Sequence, residues 1–358
     1  MPTPFVYLPW KNFLLSSMRK ILLIYTGGTI GMITNARTGA LESVNFEHLH
    51  AHIPELQRFD LELSVRSFEQ PVDSSEITLE HWHTLASWIT ESYAQFDGFV
   101  VLHGTDTMSY TASALSFMLQ GLKKPVIFTG SQLPIGIIRT DGKENLITAI
   151  EIAAATDAQG EPILQEVAVY FEYALFRANR SSKVSAHQFE AFASPNYPLL
   201  AKAGVQIEWF QERLFRTQLP TLQAQFEVSN EVLIWRLFPG MPFEHYAKAL
   251  SYPDIKILII ETFGAGNAFS KQTFQDLLEA FIAAGGLVLN ITQCQSGAVR
   301  QGAYQTSTFF EKIGVISGAD LTAEAALTKC MFALANVPAT ERAAFIRTAI
   351  AGELSAAK

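Results

Sequence analysis

Short apolar runs recur along this chain at intervals that leave room for a helix between them, and no other feature constrains the fold as strongly. The runs lie at 21–25, 98–102, 125–128, 167–171, 255–260 and 287–291. Runs of this length and composition suit strands buried on both faces of a parallel sheet. The intervening segments have helical spacing instead: 78–96 carries Leu79, Trp82, Leu85, Ala86 and Ile89; 107–119 carries Tyr110, Ala114, Phe117 and Met118; 270–284 carries Phe274, Leu277, Leu278 and Phe281. The alternation predicts an α/β protein with a mostly parallel sheet.

At 358 residues the chain has the length of about two domains at roughly 150 residues each. The stretch 211–230 is polar, holds Pro220 and follows neither period, so it is the expected linker. It separates a larger N-terminal α/β domain, 20–210, from a smaller C-terminal α/β domain, 231–358. Residues 1–19 are apolar enough to suggest a leader, but Lys11 interrupts them, Pro4 and Pro9 break them, and no basic region precedes them. Met18 is the expected true start, because a strand begins directly after it. No run reaches the ~18 to 20 apolar residues of a transmembrane helix. A net charge of -8 disfavours nucleic acid and anionic membrane surfaces as partners. Cys294 and Cys330, the only cysteines, supply neither a disulfide framework nor a thiolate zinc site. The expected setting is soluble and cytoplasmic.

The chemistry concentrates where strands end. The first strand runs into Thr26-Gly27-Gly28-Thr29, the second into His103-Gly104-Thr105-Asp106-Thr107, the third into Thr129-Gly130-Ser131-Gln132. In open parallel sheets ligands bind beyond the carboxyl ends of strands, and glycine there admits close backbone approach. Three such ends, each with hydroxyl residues beside glycine, predict a shared hydroxyl-lined pocket. Asp106 is placed for an ammonium and backbone N–H groups for a carboxylate, which suits a small zwitterion. A structural alternative is that Thr105 and Asp106 cap the following helix. Between these motifs lies Asp73-Ser74-Ser75, where Ser75 or Thr78 is a further capping candidate. No Lys-Ser/Thr follows the glycines, and neither G-x-G-x-x-G, G-x-S-x-G nor H-E-x-x-H occurs. His48, His50 and His52 form the histidine cluster of the sequence, of which His48 and His52 would share a helix face, and no metal site is expected from it.

Together these residues resemble the bacterial-type L-asparaginase family, in particular its cytosolic type I branch. The resemblance rests on Thr26-Gly27-Gly28-Thr29-Ile30, Asp73-Ser74-Ser75 and His103-Gly104-Thr105-Asp106-Thr107-Met108. It continues through Ala178-Asn179-Arg180-Ser181-Ser182-Lys183, Phe192-Ala193-Ser194-Pro195-Asn196, Phe263-Gly264-Ala265-Gly266-Asn267 and Gly352-Glu353-Leu354. It implies hydrolysis of L-asparagine to L-aspartate and ammonia without metal or organic cofactor, by a homodimer or homotetramer. By motif position, Thr29 is the implied nucleophile and Thr105, Asp106 and Lys183 the second catalytic group. Asp73, Ser74 and Ser75, with Thr105 and Asp106, are implied to bind substrate.

Two positions depart from the family pattern. Ala40 stands where many members carry a loop tyrosine, and Tyr304 is the implied substitute from the C-terminal domain. Glu261 stands where some members carry an arginine that binds an allosteric asparagine, although Thr292, Gln293 and Cys294 match the rest of that site. Asparagine against glutamine selectivity stays open, as does the identity of the acylated threonine. Two other readings remain: an ammonia-supplying transamidation subunit, which carries an extra N-terminal β-domain that 19 residues cannot supply, and a catalytically weakened asparagine sensor.

Overall fold

A computed structural model of the chain describes residues 18–34, 41–43, 53–250, 254–302 and 305–355. The larger sheet contains β1 (Arg19–Tyr25), β2 (Leu61–Ser67), β3 (Gly98–Leu102), β4 (Val126–Thr129), β5 (Val167–Phe171), β6 (Ala174–Arg177), β7 (Ala201–Ala203) and β8 (Ile207–Trp209). Its spatial order is β8-β7-β6-β5-β4-β3-β1-β2. Five strands from β2 to β5 are parallel, and β6 to β8 extend the sheet antiparallel.

Successive residues of each central strand face opposite layers, as the pleat requires. Leu22, Ile24, Phe99, Val101, Val126 and Phe128 pack with helices α1 (Leu79–Ser92) and α2 (Met108–Met118) on one side. Ile21, Leu23, Val100, Leu102 and Ile127 meet Leu146, Ala149 and Ile150 of α3 (Gly142–Ala154) on the other. Thus the apolar runs are strands with no wet face, as expected. Edge strand β2 was not anticipated. It is only half-buried and carries Glu62 and Arg66, so its apolar residues alternate with charges and form no run.

A second, all-parallel sheet of order β9-β10-β11-β12 comprises β9 (Val232–Arg236), β10 (Ile257–Thr262), β11 (Leu287–Thr292) and β12 (Ile316–Ser317). Helices α4 (Phe243–Leu250), α5 (Gln272–Ala283) and α6 (Gln305–Ile313) flank it; α7 (Ala323–Asn336) and α8 (Arg342–Arg347) follow. Phe274, Leu278 and Phe281 of α5 cover one face with Leu258 and Ile260. The other face, through Ile257, Ile259, Leu289 and Ile291, joins α7 in the same apolar cluster as α2. Helix α2 therefore lies between the two sheets and is buried nearly all round, Ser109, Ser113 and Ser116 included. The segment 211–230 runs against the larger domain: Gln223–Ala224 pairs with Leu119–Gln120, and Phe226 and Val228 pack on the core. Among the described residues no helix is long and apolar enough to cross a membrane.

Charged residues also cross the domain junction. The Arg180 side chain is fully buried and pairs with Asp320 at 2.7 Å. Burial pushes the Asp320 carboxyl up, but hydrogen bonds from Arg180 and Ser355 and the guanidinium charge more than reverse this, holding its pKa below the ordinary value. The stability it contributes is present above the unfolded value of about 3.9 and is lost as pH falls through the lower folded one. Asp320→Asn is expected to lower the thermal midpoint at neutral pH and to flatten its decline below about pH 4. Melting curves recorded between neutral and acid pH test this; parallel declines for the two proteins would refute it.

Candidate active site

Three loops meet beyond the carboxyl ends of β1 and β3. The connection after β1 runs to β2 and the one after β3 to β4, on opposite sides, so a crevice opens between the ends of β1 and β3, as at other topological switch points. The amide and hydroxyl of Thr26 both donate to Leu102 O at 3.0 Å, which ties the two strand ends together. Val72 N donates to Thr26 O at 2.8 Å and brings in the loop before α1.

Glycine makes the approach possible. Gly28 has φ +84°, and a Cβ there would lie 2.5 Å from the Cα and N of Gly104. A Cβ on Gly104 would in turn lie 2.6 Å from Ser74 Oγ. The strand ends are in backbone contact one residue before Thr29 and Thr105, so both threonines border one crevice. Each is half-buried, and Thr29 opens the 3-10 turn Thr29–Gly31.

Lys183 comes from the segment after the 3-10 turn Ala178–Arg180, on a two-residue ladder in which Ser182–Lys183 pairs with Phe192–Ala193. Its Nζ donates to Thr105 Oγ1 at 2.7 Å and to Asp106 Oδ1 at 2.6 Å. The lysine side chain is 17% exposed and that of Asp106 67%, so the ammonium is sheltered while the carboxylate faces solvent. A lysine so placed can take the proton of a threonine hydroxyl once its own has been passed on, and Asp106 holds it in reach.

The helix-capping alternative does not hold for Thr105 and Asp106. The N-cap of α2 is Thr107, whose hydroxyl donates to Ser74 O at 2.6 Å. In the loop before α1, Asp73 Oδ1 accepts from the amide and hydroxyl of Ser75, both at 2.9 Å, and these bonds, the backbone one foremost, hold its pKa below the ordinary value. Ser74 is buried, whereas Asp73 and Ser75 are exposed. Thr78 caps α1.

The third strand end contributes differently from expectation. Thr129 Oγ1 donates to Tyr170 O and Ser131 Oγ to Leu133 O, so neither hydroxyl lines the pocket. Gln132 takes that place, its Oε1 accepting from Thr105 Oγ1 at 3.4 Å. The loop is shaped by Asp141, whose carboxylate accepts from Gln132 N and Leu133 N, and by Asn145, which donates to Gly130 O. Sequence reasoning singled out neither Asp141 nor Asn145. His103, at the base of the site, is fully buried; burial lowers its pKa to about 4, so the ring is neutral and donates from Nδ1 to Gly104 O. Ala40, Tyr304 and the cluster His48, His50 and His52 lie outside the described residues, as does the extension before Met18.

Gly28→Ala tests the backbone contact. Crowding against Gly104, with the strained φ in addition, is expected to destabilise the chain by about 1–3 kcal/mol. A urea midpoint equal to that of the parent would exclude a tight contact at this position.

Residues 20–215 match the family model described as asparaginase, N-terminal, and residues 231–346 match that of the glutaminase/asparaginase C-terminal domain. The chain is 39% identical over 328 residues to L-asparaginase 1 of Escherichia coli, covering 90% of this chain and 94% of that protein. Among solved structures it is similar to L-asparaginase I of Vibrio cholerae, with a TM-score of 0.85 and 36% identity over 95% of this chain and all of that one. The thermostable L-asparaginase of Thermococcus kodakarensis matches with the same TM-score at 29% identity, over 94% of this chain and all of that one.

Proposed function

The chain belongs to the asparaginase family, and from that premise we propose that it is an L-asparagine amidohydrolase, releasing L-aspartate and ammonia. The observation that carries this reading is the Lys183–Thr105–Asp106 group, with both hydrogen bonds of the lysine under 2.8 Å, in the crevice that Thr29 also borders.

In this reading the substrate ammonium meets Asp106, and its α-carboxylate meets Ser74, Ser75 and the Asp73 turn. The side-chain amide then lies between the two threonines. Thr29 attacks the amide carbon, the carbonyl oxygen gathers charge against glycine-turn amides, and ammonia leaves with a proton to give an acyl-threonine. Water, deprotonated through Thr105 and Lys183, attacks the ester and frees aspartate. A single preorganised oxyanion donor is typically worth ~10² to 10³ in rate. Lys183 is suited to the proton transfer because its Nζ is within hydrogen-bond reach of Thr105 Oγ1 and Asp106 holds it there. Tyr304 is proposed as proton partner of Thr29 in place of a tyrosine at position 40. A homodimer or homotetramer in the cytoplasm is the proposed working form.

Purified protein is expected to release ammonia from L-asparagine. Lys183→Met should reduce kcat by about 10²- to 10⁴-fold, the usual worth of a general base. Mass spectrometry of Lys183→Met incubated with substrate is expected to place the acyl adduct on Thr29; an adduct on Thr105 would reverse the two threonine roles. L-glutamine, longer by one methylene, should be disfavoured by about 10- to 200-fold in kcat/KM.

Glu261 bears on regulation. Its carboxylate pairs with the exposed guanidinium of Arg236 at 3.4 Å, so that corner of the smaller sheet presents a neutralised pair rather than a free cation. A second asparagine finds no carboxylate receptor there, and initial rates are expected to rise hyperbolically with asparagine. A sigmoidal curve would overturn that expectation.

A further inference from the structure

Lys183 follows the 3-10 turn Ala178–Arg180, and this turn is gripped by residues more than 170 positions away. Asn179 Nδ2 donates to Ala351 O at 2.9 Å, Arg177 Nη1 to Gly352 O at 3.2 Å and Arg180 Nη1 to Glu353 O. Three consecutive carbonyls thus accept from three side chains of one short stretch. Arg180 Nη2 adds Asp320 Oδ2 and Ser355 Oγ. The gripping segment is itself fixed: the Glu353 carboxylate accepts from Ile350 N and Ala351 N and pairs with Lys329, both side chains fully buried. Closer still, Ser182 Oγ donates to Glu324 Oε2 at 2.9 Å, on the first turn of α7.

Cohesion between the domains does not require this arrangement. The junction already has an apolar layer through α2 and α7, and a buried ion pair adds little net stability over an apolar pair of the same volume. Geometry is what such groups supply. The lysine has to hold its Nζ within hydrogen-bond reach of two oxygens on another loop, and its own ladder is only two residues long. A misplacement of about 1 Å at a reacting group can cost ~10² in rate.

We infer that residues 351–355 and Glu324 form a positioning clamp for Lys183, through which the smaller domain sets the larger domain's proton-transfer geometry; this rests on the reading of Lys183 as the group that moves the proton. The clamp residues act on the lysine's backbone and need not touch substrate. Their loss therefore lowers turnover and leaves substrate affinity in place.

Steady-state ammonia release from L-asparagine by the full chain tests this with Ser182→Ala, Glu324→Gln, their double variant, Asn179→Ala and Glu353→Gln. Each single variant is expected to lower kcat by about 5- to 50-fold, within the misplacement range, with KM within about twofold of the parent. The double variant should be no slower than its slower parent, and Ser182→Thr, which keeps the hydroxyl, should recover most of the rate. Glu353→Gln breaks a buried pair and is at risk of not folding, whereas Ser182→Ala and Asn179→Ala each remove one hydrogen bond. If both of those keep kcat within twofold while Lys183→Met is inactive, the clamp is wrong and the lysine's role stands. A rise in KM alone also overturns the clamp. Full turnover by Lys183→Met removes the clamp together with the reading beneath it.

Discussion

Two strand ends touch backbone to backbone at Gly28 and Gly104, and the rest of the site is arranged around that contact. It requires adjacent parallel strands of matching register, a side chain of no size at both positions, and a third loop close enough for Ser74 to fill the remaining space. The contact brings two threonines from distant parts of the chain to one crevice. Rigid elements place the threonines, and short turns only present them, which keeps positional error small.

The lysine is supplied on a different plan. No central strand carries it; it stands on a small ladder whose support comes from the other domain. Helix α2 links the two arrangements. It begins just after Asp106, is buried almost throughout, and packs against α7, whose first turn holds Glu324. A burial pattern of that kind makes the helix a rigid spacer between the loop that carries Thr105 and Asp106 and the smaller domain, because close-packed interiors transmit displacement and do not absorb it.

How much of this was legible in the sequence depended on where each residue's partners lie. Strands β3 and β5 coincide to the residue with the expected runs 98–102 and 167–171, because burial on both faces leaves an uninterrupted apolar run. Strand β2 leaves no apolar run, since this edge position mixes Glu62 and Arg66 into the pattern, whereas β9 does contain the run Val232 to Trp235, directly after the polar segment 211–230, and is nonetheless not among the expected strands. The threonine motifs stood out because glycine beside hydroxyl at a strand end is a local signal. Lys183 carries no such signal: its partner Thr105 is 78 positions away, and only resemblance to a family singled it out. Asp141 was invisible for a related reason, since it acts on backbone amides, which leave no trace in residue identity. Which of Thr105, Asp106 and Thr107 caps α2 is likewise a matter of backbone angles, and all three are acceptable by type.

The span of the clamp bears on how the protein matures. The bonds from Asn179 to Ala351 and from Arg180 to Glu353 close loops of more than 170 residues, among the longest-range contacts in the chain. A ribosome delivers the whole larger sheet before those last acceptors exist. At about 5–20 residues per second, the interval between Lys183 and Glu353 is on the order of ten to thirty seconds. Over that period the nascent chain has both threonines and no fixed lysine. On the reading of those bonds as a clamp, folding order separates formation of the crevice from the fixing of the lysine, which waits for residues 351–355.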